Sequence, residues 1–400
     1  MNRSGRPSKL IRTARGGRRA AAGRWLSAVA VFVGLALSAV GRAEPHPVHA
    51  ARPDGWTLFR GSLEMTGRSE AALPRDLELL WSRKLDDGFE STAAIADGVV
   101  YLPSLDGRCH AFDLADGTPI WTFEDPDLAS AKSSPCLAEG LVVYGDDAGV
   151  LRALRKTDGS LAWRFESQGE IVCSPTVVDG RVLAGSYDNT LYCLDADSGE
   201  LLWRLAADGP VHCSPSYIDG AVAVAGCDGF LRFVSVEDGK EAASFEIGGQ
   251  IASTPAVEGE VLFFGTMNET VLAINWKKRG LIWSYRNPER SFPYYSSPAV
   301  AEGLVVIGGR DKTLRAFHRH TGNVAWTFRA KARIDSSPVV AGGVVYVGSH
   351  DGRVYGVDLQ SGERVWEYVL GSATAASPAV ADGRLVIASS GGGVFCFGRK

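Results

Sequence analysis

Methionine is scarce in this 400-residue chain, with 3 copies, and the 7 cysteines include neither an adjacent pair nor a Cys-x-x-Cys. Those absences exclude ribbon-type zinc sites and thioredoxin-like redox chemistry, and the 7 scattered His show no metal-ligand spacing. Long apolar runs are missing as well: the one over residues 25–40 has 16 residues, short of the roughly 17–25 that a spanning helix needs. Acidic residues are absent from the first 43 positions, which carry nine Lys and Arg. A basic start, a short apolar run and the small-residue ending Gly41-Arg42-Ala43 together read as a signal peptide cleaved after Ala43. An uncleaved anchor is the alternative. No cysteine lies near the cleavage region to carry a lipid.

Without residues 1–43, 33 Lys and Arg face 46 Asp and Glu, a net charge of −13. An exported chain this acidic is a poor ligand for nucleic acid, whose binding needs a basic surface to displace counterions. The expected location is the periplasm or outside the cell, without membrane insertion after cleavage, and the expected state is a monomer.

What is plentiful is Gly (47) and Trp (10), a combination that favours many turns and fixed packing sites for indoles. Trp81, Trp121, Trp163, Trp203, Trp283, Trp326 and Trp366 recur at a spacing of about 40 residues, and Phe245 fills the one gap. A second marker keeps the same beat: Ser134-Pro135, Ser174-Pro175, Ser214-Pro215, Thr254-Pro255, Ser297-Pro298, Ser337-Pro338 and Ser377-Pro378, with Thr92-Ala93 as a degenerate first copy. Between the markers, each period holds four short apolar runs bounded by Gly or Asp, the pattern of a four-stranded antiparallel meander. Such a sheet has two apolar faces, and a ring of them buries both. The sequence therefore predicts an all-β, eight-bladed β-propeller over residues 77–400, preceded by a linker and irregular lead-in segment at 44–76. The phase of the repeat predicts closure: strand 77–85, a Trp strand without its own blade, pairs with strand 393–398, which lacks a Trp strand.

The segment Leu194-Asp195-Ala196-Asp197-Ser198-Gly199-Glu200-Leu201-Leu202-Trp203 and its counterparts resemble the pyrroloquinoline-quinone (PQQ) type propeller repeat. That repeat occurs in quinoprotein alcohol dehydrogenases and in BamB-like outer-membrane assembly scaffolds. The resemblance implies that each Trp docks one blade on the next. In the dehydrogenases it implies PQQ and calcium over the central channel, held with long loop insertions, adjacent cysteines and stacking tryptophans beside a catalytic Asp. This chain has short loops and its tryptophans belong to the docking series, so neither PQQ nor calcium is expected, and no metal. A non-catalytic scaffold for a protein partner, an acidic surface or an envelope-assembly component, is the expected function. A PQQ-dependent dehydrogenase or a small-ligand binder using the channel mouth is the alternative.

Two candidate sites follow. Three residues before each Pro marker lie Glu90, Lys132, Val172, His212, Ala252, Tyr295, Asp335 and Ala375, a ring expected at one mouth of the channel. Glu90, Lys132, His212, Tyr295 and Asp335 are its candidate ligand contacts. Residues 277–333 carry 12 Lys and Arg against three acidic residues, a local net of +9 in a remainder of −22. Arg286, Arg290 and Arg333 with the aromatics Phe292, Tyr294 and Tyr295 are the expected partner contact. The Asp of the turn between second and third strands (Asp106, Asp188, Asp228, Asp311, Asp351) recurs too often to mark one active site and reads as a turn residue. Cys213 and Cys227, at the two ends of one predicted hairpin, are either a cross-strand disulfide or two small buried thiols.

Overall fold

The structure is a computed structural model that describes residues 55–71, 73–289 and 292–400. The leader, its cleavage point and the start of the linker lie outside the described residues, as does Arg290. Among the described residues, thirty-two strands run in chain order from β1 (Glu78–Lys84) to β32 (Gly393–Gly398) and form eight separate four-stranded antiparallel sheets. Blades I to VII span Ala94–Glu124, Cys136–Glu166, Thr176–Ala206, Ser216–Glu246, Ala256–Arg286, Ala299–Arg329 and Val339–Val369. Blade VIII combines Ala379–Gly398 with β1, which pairs with β32 in the register Glu78↔Gly398 to Lys84↔Gly393. The ring is closed by the strand exchange that the phase of the repeat requires. No helix among the described residues is long and apolar enough to cross a membrane.

The Ser-Pro marker joins the blades. The amide of each marker Ser or Thr donates to the hydroxyl of the same residue in the next blade, as in Ser134 N to Ser174 Oγ (3.1 Å) and Ser214 N to Thr254 Oγ1 (3.1 Å). The series runs through every blade and returns when Ser377 N donates to Thr92 Oγ1 (3.2 Å). Thr92 lacks the Pro but keeps the hydroxyl, which is the group that matters.

The indoles supply a second ring of bonds. Each of the seven docking tryptophans donates its Nε1 to a backbone carbonyl of the next blade at 2.7–3.1 Å, from Trp81 to Leu114 O through Trp366 to Leu77 O. Six of these indoles lie on a glycine of the following corner: at Gly199, with φ +74°, a Cβ would come within 2.7 Å of Trp163. The outer strand of every blade also carries a bulge just before this position, which turns two consecutive residues outward and breaks the free edge. Exposed apolar residues such as Leu201, Leu202, Leu281 and Ile282 follow from it.

At the junction of blades IV and V the docking is reversed, and the assignment of Phe245 to the Trp series is corrected. In register, Ala243 opposes Phe233 as Trp203 opposes Cys193, so Phe245 lies two residues further along. The vacated space is filled from the other side: Trp276 of blade V stacks on Phe233 (5.1 Å between centroids, 17°), and Phe245 packs edge-on to the same ring (5.5 Å). No indole then covers the corner, and Arg279, at φ +53°, takes the place of the glycine. Gly199→Ala should therefore lower the unfolding free energy by about 2–4 kcal/mol through overpacking and backbone strain, whereas Arg279→Ala should cost less than about 1 kcal/mol; urea unfolding of both variants checks the contrast. Deleting residues 44–86 should abolish the single cooperative transition, and a truncated chain that melts like the full one would contradict closure by β1.

Candidate functional site

Two features define the centre of the ring: a strap that crosses the channel and a chain of polar contacts around its mouth. The lead-in segment forms the strap over residues 56–69. Trp56 exchanges both backbone hydrogen bonds with Ile95 of blade I (2.9 and 2.8 Å), and the amides of Leu137, Tyr217, Val257, Val300 and Val340 donate to carbonyls of Thr57, Leu63, Glu64, Thr66 and Gly67. The inner strands of six blades thus find partners in this strap. Leu58 and Met65 pack with Cys136 beneath it. Arg60, fully buried and with φ +66°, meets no carboxylate among the described residues: its Nη2 donates to Pro298 O (3.0 Å) and Pro338 O (2.6 Å). Burial lowers its guanidinium to about 9. Sequence reasoning missed this residue because nothing in a short irregular segment marks one Arg for burial.

At the mouth, each ring residue is placed beside the residue fifteen positions later, in the turn between second and third strands. Lys132 Nζ lies 2.6 Å from Asp147 Oδ2, His212 Nδ1 3.6 Å from Cys227 Sγ, and Asp335 Oδ2 3.1 Å from His350 Nε2. Tyr295 carries the Arg310 guanidinium on its ring face, 3.6 Å from the centroid. Backbone bonds aim these turn residues inward: the amides of Asp147, Tyr187, Cys227, Met267 and His350 donate to carbonyls of Ser130, Glu170, Pro210, Gln250 and Arg333. Some turn residues also reach the next ring position, twenty-five residues on. Arg310 binds Asp335 through Nε (2.8 Å) and Nη2 (3.0 Å), and the Tyr187 ring lies 6.1 Å from that of His212. The fifteen-residue offset is a sequence signal that could have found Arg310, His350 and Cys227.

Of the predicted ring contacts, Tyr295 and Asp335 are brought together through Arg310, while Lys132 and His212 form separate pairs. Glu90 is exposed, and its charge acts with Asp147 to raise the Lys132 ammonium. Burial would raise the Asp335 carboxyl, but hydrogen bonds from His350 and Arg310 and the Arg310 charge outweigh it and hold Asp335 at about 2. Arg333 Nε adds a second guanidinium at 3.1 Å. Burial pushes the His212 imidazole down and the Cys227 thiol up, so this pair is neutral near pH 7.

The basic sector divides between two faces of the ring. Lys277 pairs with Asp219 (2.7 Å) and Arg319 with Glu258, at the corners remote from the mouth, and Arg315 is buried against Asp311. Arg286, Lys312, Arg329, Lys331 and Arg333 stay exposed on the mouth side of blades V to VII, with Phe292 and Tyr295 among them. Arg286 also meets Glu269 at 3.1 Å. Tyr294 is corrected: it is 3% exposed and packs with Phe263, Trp283 and Phe317, so it belongs to the core of blades V and VI and not to the exposed surface. Its predicted role failed because alternation along the connector turns Tyr294 inward and Tyr295 outward.

The turn aspartates are structural. Asp188 and Asp351 each accept a backbone amide two residues on (3.0 Å) and the hydroxyl of Tyr192 or Tyr355 (2.7 Å); Asp228 is held in the same way by Phe230 N and Arg232. All seven cysteines are free: Cys213 donates to Ile251 O (3.3 Å), so no disulfide joins it to Cys227. Among the described residues, no group of three His, Cys, Asp or Glu side chains is arranged to hold a metal ion.

The class defined by this geometry is an eight-bladed propeller with indole docking between blades. A family model described as "Outer membrane protein assembly factor BamB" matches residues 46–167, 147–246 and 228–400, and the chain belongs to that family. BamB of Xanthomonas campestris pv. campestris is 27% identical over 138 residues, covering 30% of this chain and 34% of that protein. The quinohemoprotein alcohol dehydrogenase of Comamonas testosteroni is 31% identical over 139 residues, covering 30% and 20%. The match thus spans about a third or less of each of these curated relatives. The crystal structure of BamB from Moraxella catarrhalis superimposes with a TM-score of 0.69 at 20% identity over 81% of this chain and 98% of that one. For the Comamonas testosteroni dehydrogenase the TM-score is 0.75 at 16% identity, over 88% and 82%. These two likenesses establish the fold alone.

Because Asp335 titrates lower in the folded chain than the usual 3.8, its contribution is present above about pH 4 and is lost as pH falls toward 2. Asp335→Asn should cost about 2 kcal/mol at pH 7, and the deficit should shrink at about pH 2.5; denaturant unfolding of both proteins at the two pH values measures it.

Proposed function

We propose that this chain is a non-catalytic binding scaffold that works outside the cytoplasm, in the manner its family name describes, and that it docks a protein partner through the mouth-side face. The observation that carries this reading is the state of Asp335. A carboxylate clamped by Arg310, Arg333 and His350 and held at about 2 is too weak a base for proton abstraction near neutral pH. The remaining polar pairs at the mouth face one another and offer no nucleophile, base and orienter set.

The quinone alternative is tested by whether these residues suit the cofactor. A PQQ molecule with its carboxylates and a calcium ion calls for free cations, an aromatic slab and acidic ligands. Here Lys132 and Arg310 are already paired. Among the described tryptophans, seven dock blades, Trp276 fills the junction of blades IV and V, and Trp56 is buried in the strap. The mouth residues do not fit the group, and no reaction step is assigned to it. Purified protein mixed with PQQ and calcium, then passed through a desalting column, should keep no quinone absorbance and show no dye-linked alcohol oxidation. Retained absorbance with turnover would replace the scaffold reading by the enzymatic one.

A further inference from the structure

We propose that the mouth-side face of blades V to VII binds an acidic polypeptide segment that carries an aromatic residue; this deepens the scaffold reading above and rests on it. The cationic excess there is a property of the folded ring. Asp335, a carboxylate on this face, is shared by the Arg310 and Arg333 guanidinium groups, with His350 Nε2 beside it, so one negative charge faces two positive ones. Lys312, Arg329 and Lys331 are exposed and make no ion pair among the described residues. Phe292 is 44% exposed and Tyr295 37%. These two rings give the patch apolar anchors between its charges, the composition that distinguishes a protein contact from a solvated charge cluster.

The surroundings select the kind of partner. Outside residues 277–333 the exported chain carries a net −22, so a long polyanion or a broad anionic membrane would be repelled wherever it extended past the patch. A short acidic segment escapes that repulsion. Arg310 is fixed on both sides, with its face on Tyr295 and its fork on Asp335. It therefore cannot offer the bidentate fork that phosphate recognition favours. Lys312 and Lys331 offer compact point charges, and Arg329 an exposed guanidinium, suited to Asp and Glu side chains.

The test is fluorescence anisotropy of a labelled, Glu-rich peptide with one Trp, titrated with the full exported protein. Binding should weaken at least about tenfold between about 0.05 and 0.3 M salt. It should weaken by a similar factor in Lys312→Glu/Lys331→Glu, and separately in Phe292→Ser, with thermal melting of both variants unchanged. A Lys-rich peptide of the same length should not bind. No binding by the wild type, equal binding by the variants, or displacement of the peptide by phosphatidylglycerol vesicles would each overturn the proposal. The two readings fail distinguishably: a photo-cross-linker placed elsewhere on the ring that captures one discrete envelope protein equally in wild type and the double Lys variant would leave the scaffold intact and remove this surface from it, whereas capture of none from any position on the ring would count against the scaffold itself.

Discussion

A continuous circle of amide-to-hydroxyl hydrogen bonds holds the eight sheets at fixed angles, and the remaining features of the molecule depend on that spacing. Each blade gives one backbone amide and receives one at the same residue, from Thr92 around to Ser377 and back. No blade can leave the circle without breaking two bonds in a buried setting, where an unpaired amide costs about 1–3 kcal/mol. The indole bonds form a wider circle outside it, and β1 completes the last sheet with the first strand of the chain. The spacing in turn brings a connector residue and a turn residue together at every blade, which is how residues 15 and 25 positions apart become neighbours around the mouth.

The junction of blades IV and V shows that the repeat conserves a packed volume and not a residue. Loss of the indole at Ala243 is matched by Trp276 arriving from the facing blade, and loss of the glycine constraint is used by Arg279. In sequence the substitution resembles a simple gap, because Phe245 is aromatic and close to the expected position. Register alone separates the two readings, since a shift of two residues keeps the side chain on the same face.

Much of the fold is legible in the sequence. Turn glycines, alternating strands, the Trp beat and the Ser-Pro beat all repeat, and repetition makes each weak signal certain. Even ring closure could be read from which strands were missing at the two ends. The candidate site was legible only in part. The ring of Glu90, Lys132, His212, Tyr295 and Asp335 was located because it shares the repeat's phase. Its pairing with the turn residues is written in the sequence only as a fifteen-residue offset, which becomes a contact through backbone bonds such as His350 N to Arg333 O. Tyr294 was misjudged because alternation along its connector turns it inward, and the strap was invisible because it occurs once.

The strap changes where function can reside. A segment bonded to the inner strands of six blades, with Arg60 buried among their carbonyls, occupies the channel with the chain's own backbone and leaves the outer faces for recognition. Hydrogen–deuterium exchange across residues 55–71 tests this most directly. The account predicts that the Trp56 and Ser69 amides, which donate to Ile95 O and Val340 O, and the Met65 and Gly67 amides, which donate to Ser62 O and Arg60 O within the strap, all exchange as slowly as the inner strands, through global unfolding. Rapid exchange of the strap while the blades stay protected would contradict it, and would return the channel to the list of binding sites.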